Sequence, residues 1–203
     1  SVGDTDDVTT AGGSIAATVQ KVSSNSAIFV EDGQVIPSTT LNDIASTWES
    51  TIFPTVTGYF GSAPDVDNTC QIEIVIFSID GGGGIGGYFV PGLSSSKESI
   101  FMDIDDLSWR NTILAHEFQH LLHNARDPFE YIWIDEGAAD MAAYLCFGVT
   151  SSLTGHANAW SQNSNMSVRW WNQRIADYGA GFLFLMYLSA VSYTHLRAHE
   201  TSL

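Results

Sequence analysis

The most regular pattern of hydrophobic positions lies in the middle of the chain and predicts two consecutive helices. In the first of them the apolar residues fall at helical spacing with no glycine or proline between them; they are Ile113, Leu114, Phe118, Leu121 and Leu122. Pro128 ends this pattern, because a proline disfavours helical geometry in the residue before it. The next element, residues 131–144, holds a second helical pattern that begins near Glu136 and predicts another helix after the break.

Alternating and apolar runs in the first half of the chain predict β-strands. Residues 15–21 and 27–31 alternate around a Ser-Ser-Asn-Ser turn and predict a hairpin. Residues 71–79 form an apolar run typical of a buried central strand. Two shorter strands are expected at residues 86–90, which Pro91 closes, and at residues 99–103.

Helical spacing recurs over residues 41–53, which Pro54 is expected to end, and over residues 178–188. The pattern as a whole predicts an α+β fold, with an N-terminal mixed β-sheet and its helices followed by a mainly helical C-terminal part. We expect a flexible segment at residues 1–14 and one folded domain at residues 15–190.

Residues 191–203 depart from the rest of the chain in composition, because arginine and histidines cluster there in an otherwise acidic sequence. Residues 191–201 resemble a translated sequencing adapter. We therefore expect a non-native tail, and a native protein that continues beyond residue 190. The metal-like spacing of His195 and His199 is disregarded for that reason.

The helix around residues 113–122 carries the strongest candidate chemistry. His116 and His120 are four residues apart, so they project from one face of a helix and can bind one metal ion from the same side. Glu117 lies about 100° around the helix from His116, close enough to act on a water molecule without binding the metal. The alternative is an ordinary helix whose histidines have structural partners.

A catalytic zinc ion needs three protein ligands, and the next predicted helix offers the third. Glu136 starts that helix, which could return antiparallel and bring the carboxylate to the metal. Asp140 lies one turn further on the same face, where it could accept the outer N–H of a ligand histidine and fix its tautomer. The alternative for both is a solvated acidic face. His123 is a rival third ligand, but seven residues of helix separate it from His116 by about 10.5 Å, too far for one ion.

Composition narrows the possible partners. The net charge of −16 disfavours nucleic acid and anionic membrane surfaces as partners. The sequence has no run of about 18 consecutive apolar residues, so neither a membrane span nor a signal peptide is expected in it. Its two cysteines, Cys70 and Cys146, could form a disulfide or remain thiols; two free thiols are preferred. The oligomeric state is left open.

Two loop features offer weaker chemistry. The glycine-rich run at residues 80–87 lacks the Gly-Lys-Ser/Thr ending of a phosphate-binding loop, so a flexible turn or cleft rim is the better interpretation. Three carboxylates precede the histidine helix: Asp103, Asp105 and Asp106. Their negative charge could interact favourably with the positive N-terminal end of the helix dipole. A Ca²⁺ site is the alternative for these carboxylates, although no EF-hand pattern is present.

The motif at residues 116–120 (His-Glu-Phe-Gln-His), followed by residues 133–140 (Trp-Ile-Asp-Glu-Gly-Ala-Ala-Asp), resembles the gluzincin metallopeptidases. Within them it is most similar to the hyicolysin-like neutral metalloproteases, which are secreted. The resemblance covers residues 109–147 and, more loosely, residues 178–188. It implies a zincin-like fold, a Zn²⁺ cofactor, a polypeptide substrate and an extracellular location.

The resemblance also implies site roles. His116, His120 and Glu136 would bind zinc, Glu117 would be the general base, and Asp140 would orient a ligand. Tyr178 matches a tyrosine of the hyicolysin-like pattern, so its hydroxyl could stabilise an oxyanion, as could His156 or Tyr144. Two alternative functions remain: a catalytically inactive binding or adhesin module with a zincin fold, and a zinc amidase acting on cell-wall peptides.

Overall fold

The structure is a computed structural model, which describes residues 1–93 and 97–200, with side chains up to residue 192. It divides into two units, Ser1–Pro128 and the part from Phe129 onward. The side chains of the predicted tail beyond residue 192, and residues 201–203, lie outside the described residues, so the tail stays a prediction. The domain boundaries drawn from the sequence also stay predictions.

The first unit contains the mixed β-sheet expected from the sequence. Its described strands are β1 (Thr5–Thr10), β2 (Gly13–Val22), β3 (Ser26–Glu31), β4 (Ile72–Phe77), β5 (Gly87–Tyr88) and β6 (Ser99–Asp103). They lie in the order β1-β2-β3-β4-β6-β5; β3, β4 and β6 are parallel neighbours and the other pairs are antiparallel. The predicted hairpin is β2–β3, and β4 is the buried central strand. The expectation of a flexible segment at residues 1–14 does not foresee β1, which pairs with β2 along its whole length.

Alternation along the central strands gives the sheet two apolar faces. Val75, Phe77 and Phe101 belong to a cluster on one face, together with residues of β1, β2 and β3. The neighbouring residues Ile74 and Ile76 are also fully buried and point to the opposite face. Helices cover that face, so the sheet is buried on both sides at its centre.

The helical segment of the first unit runs further than predicted. It comprises α1 (Ser38–Thr47), a π-helical stretch (Trp48–Ile52) and α2 (Phe53–Phe60). Pro54 was expected to end it, but this proline lies in the first turn of α2, directly after the π-helical stretch, and the helical backbone continues through it. The helical segment therefore ends at Phe60, seven residues later than the predicted end at residue 53.

The helix α3 (Arg110–Asn124) carries the histidine motif and packs against β6. Its apolar side contributes Phe118, whose ring lies 4.7 Å from that of Trp48 and 5.6 Å from that of Phe53, measured between centroids. The helix ends before Pro128, as predicted. Burial of this aromatic cluster fixes the rotation of α3, and with it the direction of the polar side of the helix.

The second unit is helical. It consists of α4 (Ile132–Phe147), α5 (Ser151–Ser161) and α6 (Ile175–Glu200). Gly137 of α4 meets Gly181 of α6 so closely that an added Cβ on Gly137 would lie 2.6 Å from the carbonyl carbon of Gly181. The α+β class is confirmed, and α5 is a helix that the sequence did not predict.

The helix α6 also has the length and apolar character needed to cross a membrane, over Ile175–Ser192. No window of consecutive apolar residues pointed to it in the sequence. A core helix of a soluble protein has the same length and composition, and α6 packs against α4 and α5. Length and composition therefore do not assign this helix to a membrane.

Candidate metal centre

The first part of the candidate centre is the polar side of α3. The imidazole rings of His116 and His120 are one turn apart, with their centroids 4.8 Å from each other. His120 and Glu117 are buried, with 9% and 7% of their surfaces exposed, and His116 is half-buried. Leu114 and Phe118, which are fully buried, hold the helix in this rotation.

The strand β5 lies at the edge of the sheet and directly against Glu117. Residues 86–90 were predicted to form a short strand, and β5 occupies Gly87–Tyr88 at the end of the strand order. An added Cβ on Gly87 would lie 3.2 Å from Cγ of Glu117 and 2.6 Å from Cγ2 of Ile113. Only a residue without a side chain fits here, so the glycine brings the strand backbone next to the candidate base.

The helix α4 carries the two predicted acidic residues. Glu136 is half-buried in its second turn, and Asp140 follows one turn later with 2% of its surface exposed. A carboxylate oxygen of Asp140, Oδ2, lies 2.6 Å from Nδ1 of His156 on α5. The solvated acidic face that was the alternative is therefore wrong for Asp140.

A nitrogen of His116, a nitrogen of His120 and a carboxylate oxygen of Glu136 all lie within 4.8 Å of one another. Such a group of side chains could hold a metal ion. Two imidazole nitrogens and one carboxylate oxygen are ligands that zinc accepts, and three protein ligands leave a further position open in a tetrahedral site. The chemistry of the three side chains thus fits the expected ion.

The predicted rival ligand has a different partner. Nδ1 of His123 lies 3.3 Å from the side-chain nitrogen of Gln119, four residues earlier on α3. His123 does not belong to the three-residue group. This agrees with the distance argument from the sequence: seven residues of helix separate His123 from His116 by about 10.5 Å, too far for both to bind one ion.

The candidate oxyanion donors lie in the second unit. The ring of Tyr178, in the first turns of α6, contacts the rings of His156 at 5.1 Å and Trp171 at 4.8 Å between centroids. Tyr144 instead packs on Phe182 at 6.0 Å. The role of Tyr178 stays a prediction, and its contact with His156 links two of the three candidates.

The pairing of Asp140 with His156 was missed in the sequence. Asp140 was expected to accept from a ligand histidine, and His156 was considered only for its own hydrogen-bonding capacity. The two residues are sixteen positions apart and lie on different helices. The one available signal was a histidine in an otherwise uncharged segment, which does not identify a partner.

Comparison with known proteins finds a metalloprotease as a relative of this chain. The chain is 28% identical, over 211 aligned residues, to the neutral metalloprotease ShpI of Staphylococcus hyicus. The match covers 87% of this chain and 48% of the relative, so the chain spans about half the length of the curated relative it matches. No family model matches the chain. The similarity supports a relationship to a metalloprotease.

Proposed function

We propose that this chain is the catalytic part of a zinc-dependent peptidase of gluzincin type, with a zincin-like fold. The observation that carries the proposal is the convergence of His116, His120 and Glu136, whose ligand atoms lie within 4.8 Å of one another. Similarity to a neutral metalloprotease supports the same chemistry independently of the geometry. Extracellular location belongs to the proposal, and it rests on the resemblance to secreted proteases.

Three side chains would hold the metal: His116 and His120 through ring nitrogens and Glu136 through its carboxylate. When bound there, a zinc ion would polarise the scissile carbonyl and make water acidic enough to ionise near pH 7. The two histidines come from one rigid helix, which sets their separation before any metal binds. That preorganisation reduces the cost of assembling the site.

Glu117 is the general base of the proposed mechanism. Its carboxylate takes the proton from the attacking water and delivers it to the nitrogen of the leaving amine. Burial of Glu117, between the body of α3 and the β5 backbone at Gly87, keeps bulk water away from this transfer. A base in such a position contributes about 10²–10⁴-fold to the rate.

The edge strand β5 provides the place for the substrate. On one side its backbone pairs with β6, and in the described sheet it is the last strand in the order. An extended polypeptide can add to such an edge through main-chain hydrogen bonds. The contact between Gly87 and Glu117 would then bring the substrate main chain beside the base.

Oxyanion stabilisation is assigned to Tyr178, with His156 as the alternative donor. The Asp140 carboxylate at 2.6 Å holds the His156 ring, and Tyr178 contacts that ring. Loss of one oxyanion donor lowers kcat by about 10²–10³-fold. We expect Tyr178→Phe to show this loss with little change in KM, whereas His156→Gln should show it if the histidine is the donor.

The test combines metal content with peptide cleavage. Wild-type protein should contain about one zinc ion per chain and cleave casein or a quenched peptide library. Glu117→Gln should keep the zinc and lose about 10²–10⁴-fold in kcat. Glu136→Gln should lose zinc as well as activity. The matched control is Glu31→Gln, because the amide oxygen can still accept the hydrogen bonds from Gln34 and Ser78.

Two results would contradict the proposal. Zinc-loaded Glu117→Gln protein with wild-type turnover would show that the carboxylate is not the base. Zinc-loaded wild-type protein that binds peptides without cleaving them would favour the inactive binding module, and cleavage of cell-wall peptides alone would favour the amidase.

A further inference from the structure

The segment around the edge strand β5 contributes few side chains that could hold the strand in place. Residues 81–87 comprise six glycines and Ile85, whose side chain is 50% exposed. Residues 89–90, which follow β5, belong to no strand, and the N–H of Leu93 then donates to the carbonyl oxygen of Val90 in a turn. Because glycine has great conformational freedom, the position of β5 depends on a small number of contacts.

Tyr88 is the residue of β5 whose side chain packs into the sheet. It pairs with Phe101 of β6 in the strand register, and the two rings stack with their centroids 4.8 Å apart and their planes inclined by 23°. The Tyr88 ring also meets the ring of Phe77, on the central strand β4, edge to face at 6.3 Å between centroids. These contacts join the edge strand to the apolar cluster on one face of the sheet.

The hydroxyl group of Tyr88 connects β5 to the first hairpin of the chain. Its oxygen accepts a hydrogen bond, 3.1 Å long, from the backbone N–H of Ala11, in the turn between β1 and β2. The strands β1 and β5 are the first and last in the strand order, so the sheet curls far enough for its two ends to be joined through this side chain. Ring stacking and the hydrogen bond thus hold β5 from two directions.

The two residues of β5 point to opposite faces of the sheet, as consecutive residues of a strand do. A Cβ on Gly87 would point at α3, where it would meet Ile113 and Glu117. The Tyr88 ring therefore points away from the candidate base, and it does not touch a polypeptide that pairs along the outer edge of β5. Any effect of Tyr88 on such a polypeptide acts through the backbone of the strand.

We propose that Tyr88 is a positioning residue, which holds β5 where an extended polypeptide substrate pairs with its outer edge. The ring on Phe101 and the hydrogen bond from Ala11 together fix the strand beside Glu117. This inference deepens the proposed function, on which it rests for the identity of β5 as the substrate edge. A displaced β5 lowers the fraction of protein that is competent to bind, and the apparent affinity falls with that fraction.

Peptide binding is measured on the full chain carrying Glu117→Gln and loaded with zinc, so that the peptide is not consumed. The probe is a fluorescent, unstructured casein-derived peptide, and anisotropy gives its Kd. Tyr88→Phe keeps the ring and removes the hydrogen bond, so Kd should rise about 2–10-fold. Tyr88→Leu also removes the ring stacking, so Kd should rise at least about tenfold. Tyr187→Phe, which removes an exposed hydroxyl from α6, is the matched control and should leave Kd unchanged.

Kinetics of the same Tyr88 variants with the native Glu117 separate positioning from a loss of folded protein. Positioning predicts that KM rises by the same factor as Kd, while kcat stays within about twofold of wild type, because a bound peptide itself holds β5 in the productive place. A folding defect lowers kcat and Tm and leaves KM unchanged, and that pattern would overturn the proposal. Zinc content is measured on every variant.

Hydrogen exchange reports the order of β5 without any substrate. The backbone amides of residues 86–89 should exchange about 2–10-fold faster in Tyr88→Phe than in the wild type. Wild-type protein that neither binds nor cleaves peptides would contradict the proposed function, and the exchange rates would still decide whether Tyr88 holds the strand. Wild-type exchange together with wild-type Kd in both Tyr88→Phe and Tyr88→Leu would overturn the inference and leave the proposed function intact.

Discussion

Replacing Gly87 with alanine tests whether the edge strand must lie directly against the candidate base. The new Cβ would lie 2.6 Å from Cγ2 of Ile113, 2.7 Å from the carbonyl oxygen of Phe101 and 3.2 Å from Cγ of Glu117. The Ile113 side chain can rotate away. The Phe101 oxygen cannot, because it belongs to the β6 backbone, where Phe101 pairs with Tyr88.

The size of the effect follows from these distances. Ordinary van der Waals contact begins at 3.4 Å, so β5 must move from the Phe101 oxygen by about 0.7 Å. Overpacking of this kind costs about 1–3 kcal/mol of the free energy of unfolding. For a chain of this length Tm falls by about 2–4 °C per kcal/mol. Misplacement by about 1 Å can cost 10²-fold in rate, so kcat/KM should fall by about 10–100-fold.

The assay compares Tm, zinc content and kcat/KM on a quenched peptide. Gly58→Ala is the matched control: Gly58 is exposed on α2, and its added Cβ would meet nothing within 4 Å. Alanine is favoured over glycine inside a helix by up to about 1 kcal/mol, so this variant should be as stable as wild type or more so, with the same activity. Wild-type Tm and kcat/KM in Gly87→Ala would refute the reasoning about β5.

Three further predictions concern the second unit and the metal. Gly137→Ala should lower the free energy of unfolding by about 1–3 kcal/mol, because its Cβ would collide with the Gly181 backbone. The control is Gly155→Ala on α5, whose Cβ would meet nothing within 4 Å and should leave the free energy of unfolding unchanged. Thermal denaturation of both variants checks this prediction. Burial would raise the pKa of Asp177, but hydrogen bonds, led by the one from the Arg174 side chain, lower it overall. The ionised Asp177 therefore stabilises the fold at pH values above its unfolded-state pKa, and this stabilisation is lost as the pH falls through its folded-state pKa. Asp177→Asn should therefore flatten the acid limb of a plot of Tm against pH. A chelator should abolish peptide cleavage, and added ZnCl₂ should restore it; cleavage that survives verified zinc removal would contradict the metal assignment.

Local periodicity explains which parts of the fold the sequence could predict. The β2–β3 hairpin, the buried β4 and the helix α3 each follow from spacing within a dozen residues. Residues 1–14 and 151–161 have weak periodicity, and their structure depends on partners elsewhere in the chain, so β1 and α5 were not foreseen. Pro54 was misjudged because a proline is compatible with a first helical turn as well as with a helix end.

The same division applies to the candidate sites. His116, Glu117 and His120 share one helix, so their relative placement follows from helical geometry alone. The pair Asp140–His156 joins residues on two different helices, sixteen positions apart, and no local rule brings them together. A titratable residue has many possible partners elsewhere in the chain, and only packing selects one of them.

Glycines show most clearly what packing adds to a sequence. Gly58 and Gly155 lie in helices with open space around them, whereas Gly87 and Gly137 lie where another backbone leaves no room for a Cβ. The letter is the same in all four positions, yet alanine should be tolerated at the first two and harmful at the others. In both harmful positions the element concerned bears on the candidate centre, since β5 contacts Glu117 and α4 carries Glu136. Close backbone approach at these glycines is therefore a structural requirement of the site that none of its polar residues reveals.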